Sequence, residues 1–344
     1  DMVRHADHLV ALGPGAGPEG GAVLFAGPLA DGPGGADPLG AAPRARGAVR
    51  PGDGALRLRG ARLHNLRGAD LEVRLGAFNV VTGPSGAGKS SLVFGTLLPA
   101  LEGAPGGPFD ALEGAHDGLV VRAVDAQPIG RTPRSTPATW SGVFDLVRKR
   151  FAALPAAKHA GLTASRFSFN TRAGRCPDCE GLGVLRIGLH LLADVEVTCA
   201  TCGGARYAPE VLGVRLRGQN IADVLGMPAA EALAFFAADA PIAGLLQPMV
   251  DLGLGYLRLG QSSTTLSRGE AQRVKLATLI GRSGARPTLL LMDEPDRGLH
   301  PGDVRRLLAA IDALVGGGHT LLAISHHRHL WAAADHLVQV RDGR

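Results

Sequence analysis

Aromatic residues make up only 4% of this 344-residue chain, which has two tryptophans and two tyrosines. A core in a chain of this length must therefore be built from Leu, Val and Ala. Lysine is nearly missing: Lys89, Lys149, Lys158 and Lys275 stand among 36 basic residues, and the rest are arginine. Together with 50 glycines, that bias fits a GC-rich coding sequence better than a functional demand for arginine. Cysteine is scarce, with four in all. No apolar run approaches the roughly 18 residues of a membrane span. The N-terminus lacks the charged-then-apolar plan of a secretion signal. These absences lead to the expectation of a cytoplasmic protein without a membrane partner, in which disulfides are rare. A net charge of +5 and a pI near 9.4 are compatible with a nucleic-acid partner but do not demand one.

What the chain does contain is ordered. Gly83-Pro84-Ser85-Gly86-Ala87-Gly88-Lys89-Ser90 matches the phosphate-binding loop G-x-x-x-x-G-K-[ST] in full. It follows the apolar stretch Phe78-Asn79-Val80-Val81 and precedes a helix expected over Ser91 to Leu101. Gly83, Ser85, Gly86 and Gly88 let backbone N–H groups turn inward around phosphate oxygens, and the helix N-terminus at Ser91 adds its dipole. Lys89 is placed to reach the β- and γ-phosphates. The Ser90 hydroxyl suits a Mg²⁺ shell, because hard cations take oxygen ligands. Leu289-Leu290-Leu291-Met292-Asp293-Glu294 reads as a buried strand delivering two acids. Asp293 is the second candidate magnesium ligand, and Glu294 the group that orients or deprotonates the attacking water. Gln127 is the candidate glutamine sensing the γ-phosphate. His326, after the apolar run Leu321 to Ile324, suits a switch histidine, with a solvated cluster of His326, His327 and His329 as the alternative.

Between these elements, Leu266-Ser267-Arg268-Gly269-Glu270 reads as an ABC signature with a helix expected over Gly269 to Ile280. Ser267, Arg268 and Gly269 would act in trans, on ATP held by a second cassette. Arg268 stands where glycine is usual, which leaves hydrolysis less secure than binding. About 200 residues separate Lys89 from Asp293, more than a compact cassette needs, so a domain-sized insertion is expected. The expected division is 1–54 as the tail of a preceding cassette with a Gly/Pro-rich linker, 55–127 as the ATP-binding lobe, 128–250 as the insertion, and 251–344 as the lobe with the signature, the acidic strand and the switch histidine. The tail is inferred from a repeat: Ala6-Asp7-His8-Leu9-Val10 recurs as Ala334-Asp335-His336-Leu337-Val338, shortly after His326. By that reasoning the chain starts inside a longer one or descends from a tandem of cassettes. Alternation in Leu56-Arg57-Leu58-Arg59 opens a strand-rich stretch running to Leu75.

The cysteines fall in the insertion as Cys176-Pro177-Asp178-Cys179 and Cys199-Ala200-Thr201-Cys202. Two C-x2-C turns offer four thiolates, the set of a closed, structural, tetrahedral zinc site, with a redox site as the lesser alternative. Nearby glycines supply the tight turns.

A four-cysteine module between the phosphate loop and the signature of an ABC ATPase resembles the second cassette of the UvrA family, the damage-sensing components of the ABC excinucleases. Further stretches carry the resemblance: Gln127-Pro128-Ile129-Gly130-Arg131-Thr132-Pro133-Arg134-Ser135, Arg166-Phe167-Ser168-Phe169-Asn170, Asn220 to Leu225, and Leu252 to Gln261. Gly13 to Gly17 resembles the loop closing that family's first cassette. The resemblance implies an α/β fold: an ABC-type P-loop ATPase cassette with an inserted zinc-binding signature domain. It implies ATP, Mg²⁺ and Zn²⁺ as cofactors and damaged double-stranded DNA as ligand, bound without sequence preference in nucleotide excision repair. It also implies a second cassette, in cis or from a homodimer partner, and a helicase-like, UvrB-like repair protein. Arg131, Arg134, Arg166 and Arg172 are the candidate DNA-phosphate contacts, while Phe167, Phe169 and Trp140 are read as core. Arg268, the pair Asp296-Arg297 and Ser325 depart from the family pattern. A divergent paralogue conferring resistance to DNA-binding drugs, or a nucleotide-binding module without efficient hydrolysis, therefore remains the alternative. An ABC ATPase serving ribosomes or a transporter is disfavoured by the cysteine module.

Overall fold

The computed structural model describes residues 7–13, 22–28, 54–104, 106–115, 118–124, 127–130, 132–188, 195–282, 286–297, 299 and 301–344. The chain divides into two compact units, one of residues 1–126 with 283–344 and the other of residues 127–282. Arg131 and most of 13–54 lie outside the described residues.

The first unit is organised by a five-stranded parallel sheet. Its spatial order is His336–Gln339, Phe78–Thr82, Thr320–Ile324, Thr288–Asp293 and Val120–Val124. All five residues of both Phe78–Thr82 and Thr320–Ile324 are buried, as expected for inner strands covered on both faces. Asn79, within the first of these, is a fully buried amide. Its Oδ1 accepts from the Arg74 N–H at 2.8 Å, and its Nδ2 donates to the carbonyls of Arg74 at 2.9 Å and Leu321 at 3.1 Å. Asn79 thus satisfies the backbone where the chain turns into the phosphate-loop strand. On the other flank, the Asp335 carboxylate accepts from the Phe78 N–H at 2.8 Å, while the Asp335 N–H donates to the Phe78 carbonyl at 2.8 Å. The repeated Asp-His pair therefore has a mechanical role in its second copy, and both copies open a strand at their histidine, His8–Gly13 and His336–Gln339.

A second, antiparallel sheet joins Ala69–Arg74, Ala55–Ala61 and Ala111–Glu113. The alternation at its start is real: Leu56 and Leu58 are buried, while Arg57 pairs across the strands with Glu72 at 3.0 Å and Arg59 with Asp70 at 2.9 Å. The Gly60 N–H and the Arg59 guanidinium together hold the Asp70 carboxyl below the usual carboxylate range. One expectation fails within 13–54. Ala22–Pro28 is a strand, paired antiparallel with His8–Gly13, and not linker. The apolar run Ala22 to Ala26 sits among glycines that suggest loop, and only its pairing with the preceding strand reveals it.

The second unit is mainly helical, with one hairpin of Val184–Ile187 and Val195–Thr198 beside the cysteines. It extends to Arg282 and so includes the signature helix Arg268–Arg282. In a chain poor in aromatics, most of them concentrate here. Phe151, Phe167, Phe169 and Tyr207 are fully buried. Phe169 lies 5.2 Å from Phe144 and 6.2 Å edge-on from Tyr207, with the Arg206 guanidinium 5.4 Å from its ring. Trp140 does not join them and is 41% exposed. It sits on the one-turn helix Pro137–Ser141, whose Ala138 and Ser141, three apart, take the inward face.

Truncating the hub of this cluster, Phe169→Ala, is expected to destabilise the second unit by about 3–5 kcal/mol, the usual cost of removing a buried aromatic ring. Urea unfolding followed by Trp140 emission, with Trp331 replaced by Phe in both proteins, would show an earlier midpoint, and an unmoved midpoint would mean that Phe169 does not anchor this core.

Candidate nucleotide site and thiol cluster

The strand order of the first unit brings the catalytic candidates together. Thr320–Ile324 lies between the phosphate-loop strand and the acidic strand, and all three are parallel. Their carboxyl ends therefore open on one edge, where open α/β sheets place ligands. Backbone hydrogen bonds tie these ends in series: Ser325 N–H to the Val81 carbonyl at 3.1 Å, and Glu294 N–H to the Ile324 carbonyl at 2.9 Å.

Gly83, Gly86 and Gly88 all hold positive φ, which lets the loop curl. At Gly83 a Cβ would stand 2.1 Å from the Val340 carbonyl oxygen, so no side chain fits there. Ser85 and Ser90 are exposed, Ser91 is half-buried, and the His64 Nδ1 lies 3.1 Å from the Ser91 hydroxyl. The helix runs Lys89–Leu92, passes through a π turn at Val93–Leu97 and ends as Leu98–Leu101. It begins two residues before the expected Ser91. Lys89 is buried and closes the loop on itself: its ammonium donates to the carbonyls of Gly83 at 2.9 Å and Pro84 at 2.8 Å. Burial lowers its pKa, and the negative field of Glu294 and Asp293 opposes that shift. An incoming phosphate would replace two neutral carbonyls with an anion, a stronger partner for the same ammonium.

Glu294 takes a left-handed backbone with φ 44°, unusual for a side-chain-bearing residue just past a strand. Its Oε1 lies 3.9 Å from the His326 Nε2, and its Oε2 accepts from the Arg297 Nη1 at 2.9 Å. The three neighbouring histidines separate into different roles. His326 is exposed and faces the acid, whereas the His327 Nδ1 accepts from the His329 N–H at 3.3 Å, capping helix Arg328–Ala333, and His329 is buried. Ser325 is fully buried: its hydroxyl accepts from the His327 N–H at 2.9 Å, and its carbonyl accepts from the Trp331 indole at 2.9 Å. It shapes the turn that presents His326.

Beside the phosphate loop is a cavity of about 310 Å³ lined by Asn65, Arg67, Pro84 to Ala87, Asp342 and Gly343. The Asn65 amide donates to the Gly86 carbonyl, and the Arg67 N–H to the Gly343 carbonyl at 2.7 Å. Asn65, Arg67 and Asp342 escaped the motif reading, because they are distant in sequence and belong to no phosphate-loop pattern. Positive φ at His64 and Asp342 marks these turns only once the backbone is known.

The other candidates belong to the second unit. Gln127 is exposed near its start. Ser267 opens the signature helix in a reciprocal cap: its hydroxyl accepts from the Glu270 N–H at 3.2 Å, and Glu270 accepts from the Ser267 N–H at 2.7 Å. Arg268 is exposed and Gly269 half-exposed beside it. Among the DNA candidates, Arg134 donates to the Glu180 carbonyl at 2.9 Å, and Arg166 donates to the Ala173 carbonyl at 2.8 Å. Arg172 is exposed without a hydrogen bond or ion pair among the described residues.

The four cysteine sulfurs lie within 4.8 Å of one another, with Cys176 to Cys199 at 3.9 Å and Cys179 to Cys202 at 3.7 Å. A tetrahedron of thiolates about 2.3 Å from a zinc ion has sulfur–sulfur edges of about 3.8 Å, so the set fits zinc. The Gly183 N–H donates to the Cys179 sulfur at 3.2 Å. The Cys202 N–H, with other backbone donors, lowers the Cys199 thiol to about 7, whereas burial pushes Cys202 up to about 12. Gly174 and Gly181 are required by close approach: a Cβ at either would stand 1.6 Å and 2.0 Å from the carbonyl oxygens of Arg166 and Phe169.

No protein-family profile matches the chain. In sequence it is 46% identical to UvrABC system protein A of Thermus thermophilus and 42% identical to that of Deinococcus radiodurans, over 99% of the chain in both cases. It spans 37% and 35% of the length of those proteins. Its fold matches the crystal structure of UvrA2 from Deinococcus radiodurans with a TM-score of 0.86 at 42% identity, over 98% of this chain and 42% of that one. The chain is thus homologous to a stretch of UvrABC system protein A, and its fold is the expected α/β, ABC-type cassette with a cysteine-bearing insertion.

The thiol geometry gives a metal prediction. The full chain is expected to hold one zinc ion, and Cys179→Ala is expected to lose it and unfold the hairpin, since such sites contribute on the order of 10 kcal/mol to local folding. Metal analysis of protein purified without chelator is the check. Stoichiometric zinc retained in Cys179→Ala would contradict a closed four-thiolate site.

Proposed function

We propose that this chain, as a homologue of UvrABC system protein A, forms an ATP-binding and DNA-engaging part of a damage-recognition ATPase in nucleotide excision repair. The observation carrying the proposal is the convergence of Lys89, Asp293, Glu294 and His326 at the ends of adjacent parallel strands. In this reading, Gly83 to Gly88 and the Ser91 end of the helix cradle the phosphates, and Lys89 leaves its two carbonyls to bind them. The nucleoside occupies the cavity lined by Asn65, Arg67 and Asp342. Ser90 and Asp293 hold Mg²⁺, which when bound neutralises charge on the polyphosphate. Glu294 orients the attacking water, His326 meets the γ-phosphate, and Gln127 senses it.

Ser267, Arg268 and Gly269 act on nucleotide bound by another cassette, either in cis or in a homodimer partner. Ser267 accepts one hydrogen bond within its cap, which leaves its hydroxyl proton to donate to phosphate. Zinc on Cys176, Cys179, Cys199 and Cys202 is structural, keeping the inserted domain in one shape. Arg131, Arg134, Arg166 and Arg172 contact DNA phosphates, giving affinity for damaged duplex that does not depend on sequence. Arg134 and Arg166 must exchange a carbonyl for phosphate, whereas Arg172 needs no exchange. A UvrB-like helicase partner and a cytoplasmic location complete the assignment. The arginines at 268 and 297 favour a second reading of the same fold, either a divergent UvrA-like paralogue conferring resistance to DNA-binding drugs or a nucleotide-binding module without efficient hydrolysis.

Ground-state and transition-state roles separate by mutation. Lys89→Ala is expected to weaken ATP binding about 10- to 100-fold, because a charge-assisted contact to phosphate is lost. Glu294→Gln is expected to leave binding intact and to cut turnover by about 10²-fold or more. Nucleotide titration with steady-state phosphate release distinguishes them, and equal loss of binding in both variants would overturn the assignments.

The trans role of the signature gives a second expectation. The chain is expected to bind ATP-Mg²⁺ and to turn it over slowly, with a rate per chain that rises with protein concentration. In a protein with two cassettes, Arg268→Gly raises turnover, while ATP affinity of the single chain stays unchanged. Fast, concentration-independent turnover by this chain would show that the site is complete within one cassette.

A further inference from the structure

Glu294 to Arg297 form a hydrogen-bonded turn, with the Arg297 N–H donating to the Glu294 carbonyl at 3.0 Å. Pro295 occupies the second position of that turn, where its fixed φ is favoured. The turn folds the fourth residue back over the first, and the Arg297 guanidinium meets Glu294 Oε2 at 2.9 Å. The other oxygen, Oε1, faces the His326 imidazole at 3.9 Å. The carboxylate is therefore addressed by Arg297 on one oxygen and by His326 on the other, and the wider field on Lys89 places Glu294 and Asp293 near the same phosphate site.

A water-orienting carboxylate works through a lone pair aimed at the water. A guanidinium on Oε2 occupies a lone pair of that oxygen and fixes the orientation of the carboxylate, so that this oxygen is not aimed at water. The Arg297 side chain is itself 72% exposed, so this contact is a reversible one in high dielectric.

We propose that Arg297 is a rate-restraining positioning residue: it latches the Glu294 carboxylate through Oε2, so that water is engaged only in the fraction of molecules where the guanidinium has swung away. The proposal rests on the assignment of Glu294 to the attacking water. It acts on the chemical step and leaves ATP binding alone, because Arg297 meets Glu294 rather than the phosphate loop.

The test is steady-state ATPase of the full chain, at fixed high protein concentration, for the parent and for Arg297→Ser and Arg297→Ala, each with and without Glu294→Gln. Arg297→Ser and Arg297→Ala are expected to raise kcat about two- to fivefold, the range open to one exposed ion pair, with KM for ATP unchanged. The gain vanishes when Glu294→Gln is also present. Raising ionic strength at saturating ATP screens the pair and brings the parent rate toward that of Arg297→Ser, whose own rate responds less. An unchanged or lower kcat in the Arg297 variants, while Glu294→Gln alone still abolishes turnover, overturns the latch and leaves the role of Glu294 standing. If Glu294→Gln alone leaves turnover intact, the underlying role of Glu294 fails, and the latch with it.

Discussion

The strand Thr320–Ile324 is the constraint on which the nucleotide site depends. It pairs in parallel with Phe78–Thr82 on one side and with Thr288–Asp293 on the other. Because parallel strands share a direction, their carboxyl ends emerge together, and the phosphate loop, the acidic pair and His326 follow without further design. The two hydrogen bonds that continue the ladders past the strand ends, Ser325 to Val81 and Glu294 to Ile324, fix the spacing of these loops. A buried ladder of this kind has no water to replace a lost bond. Slipping the middle strand by one residue would therefore break both bonds and displace His326 relative to Glu294 and the phosphate loop.

Support for that register comes from polar groups in an otherwise apolar layer. Asn79 satisfies the turn at Arg74 and reaches the middle strand at Leu321, while Asp335 closes the other edge onto Phe78. Both are buried or partly buried polar groups whose replacement by apolar residues would leave backbone donors without partners. They act as pins: the apolar residues of these strands drive burial but could pack in more than one register, and the specific hydrogen bonds select one.

How much of this is legible in the sequence follows from the range of each interaction. The phosphate loop, the acidic strand and the C-x2-C pairs are legible because their chemistry is local, with spacing of a few residues setting geometry. Alternation in Leu56 to Arg59 announces a half-exposed strand for the same reason. Ala22–Pro28 is not legible, since its strand character comes from a partner across a glycine-rich gap. Trp140 reads as core and is not, because a one-turn helix does not show which face is inward until it packs. Asn65, Arg67 and Asp342 line the cavity beside the phosphate loop through turns separated by most of the chain. The three histidines at 326, 327 and 329 look equivalent as letters, and backbone geometry alone sorts them into a site residue, a cap and a buried side chain.

Two arginines remain where small residues are usual, and they share a physical logic. Arg268 sits in the first turn of a 15-residue helix, where a cation opposes the helix dipole by about 0.3–1 kcal/mol. The cap between Ser267 and Glu270 offsets that cost, and Glu270 is held in turn by the Tyr256 hydroxyl at 2.5 Å. The helix start is thus kept in place despite its cation, with an anion as the partner that would remove the penalty. Arg297 answers the same condition differently: it already has an anion, and that anion is Glu294. Arg268 is thus an arginine whose anion is still to arrive, and Arg297 one whose anion is the residue assigned to the water. Under the proposed function both arginines restrain turnover: Arg268 acts on nucleotide held by another cassette, and Arg297 holds the carboxylate of Glu294 in its own.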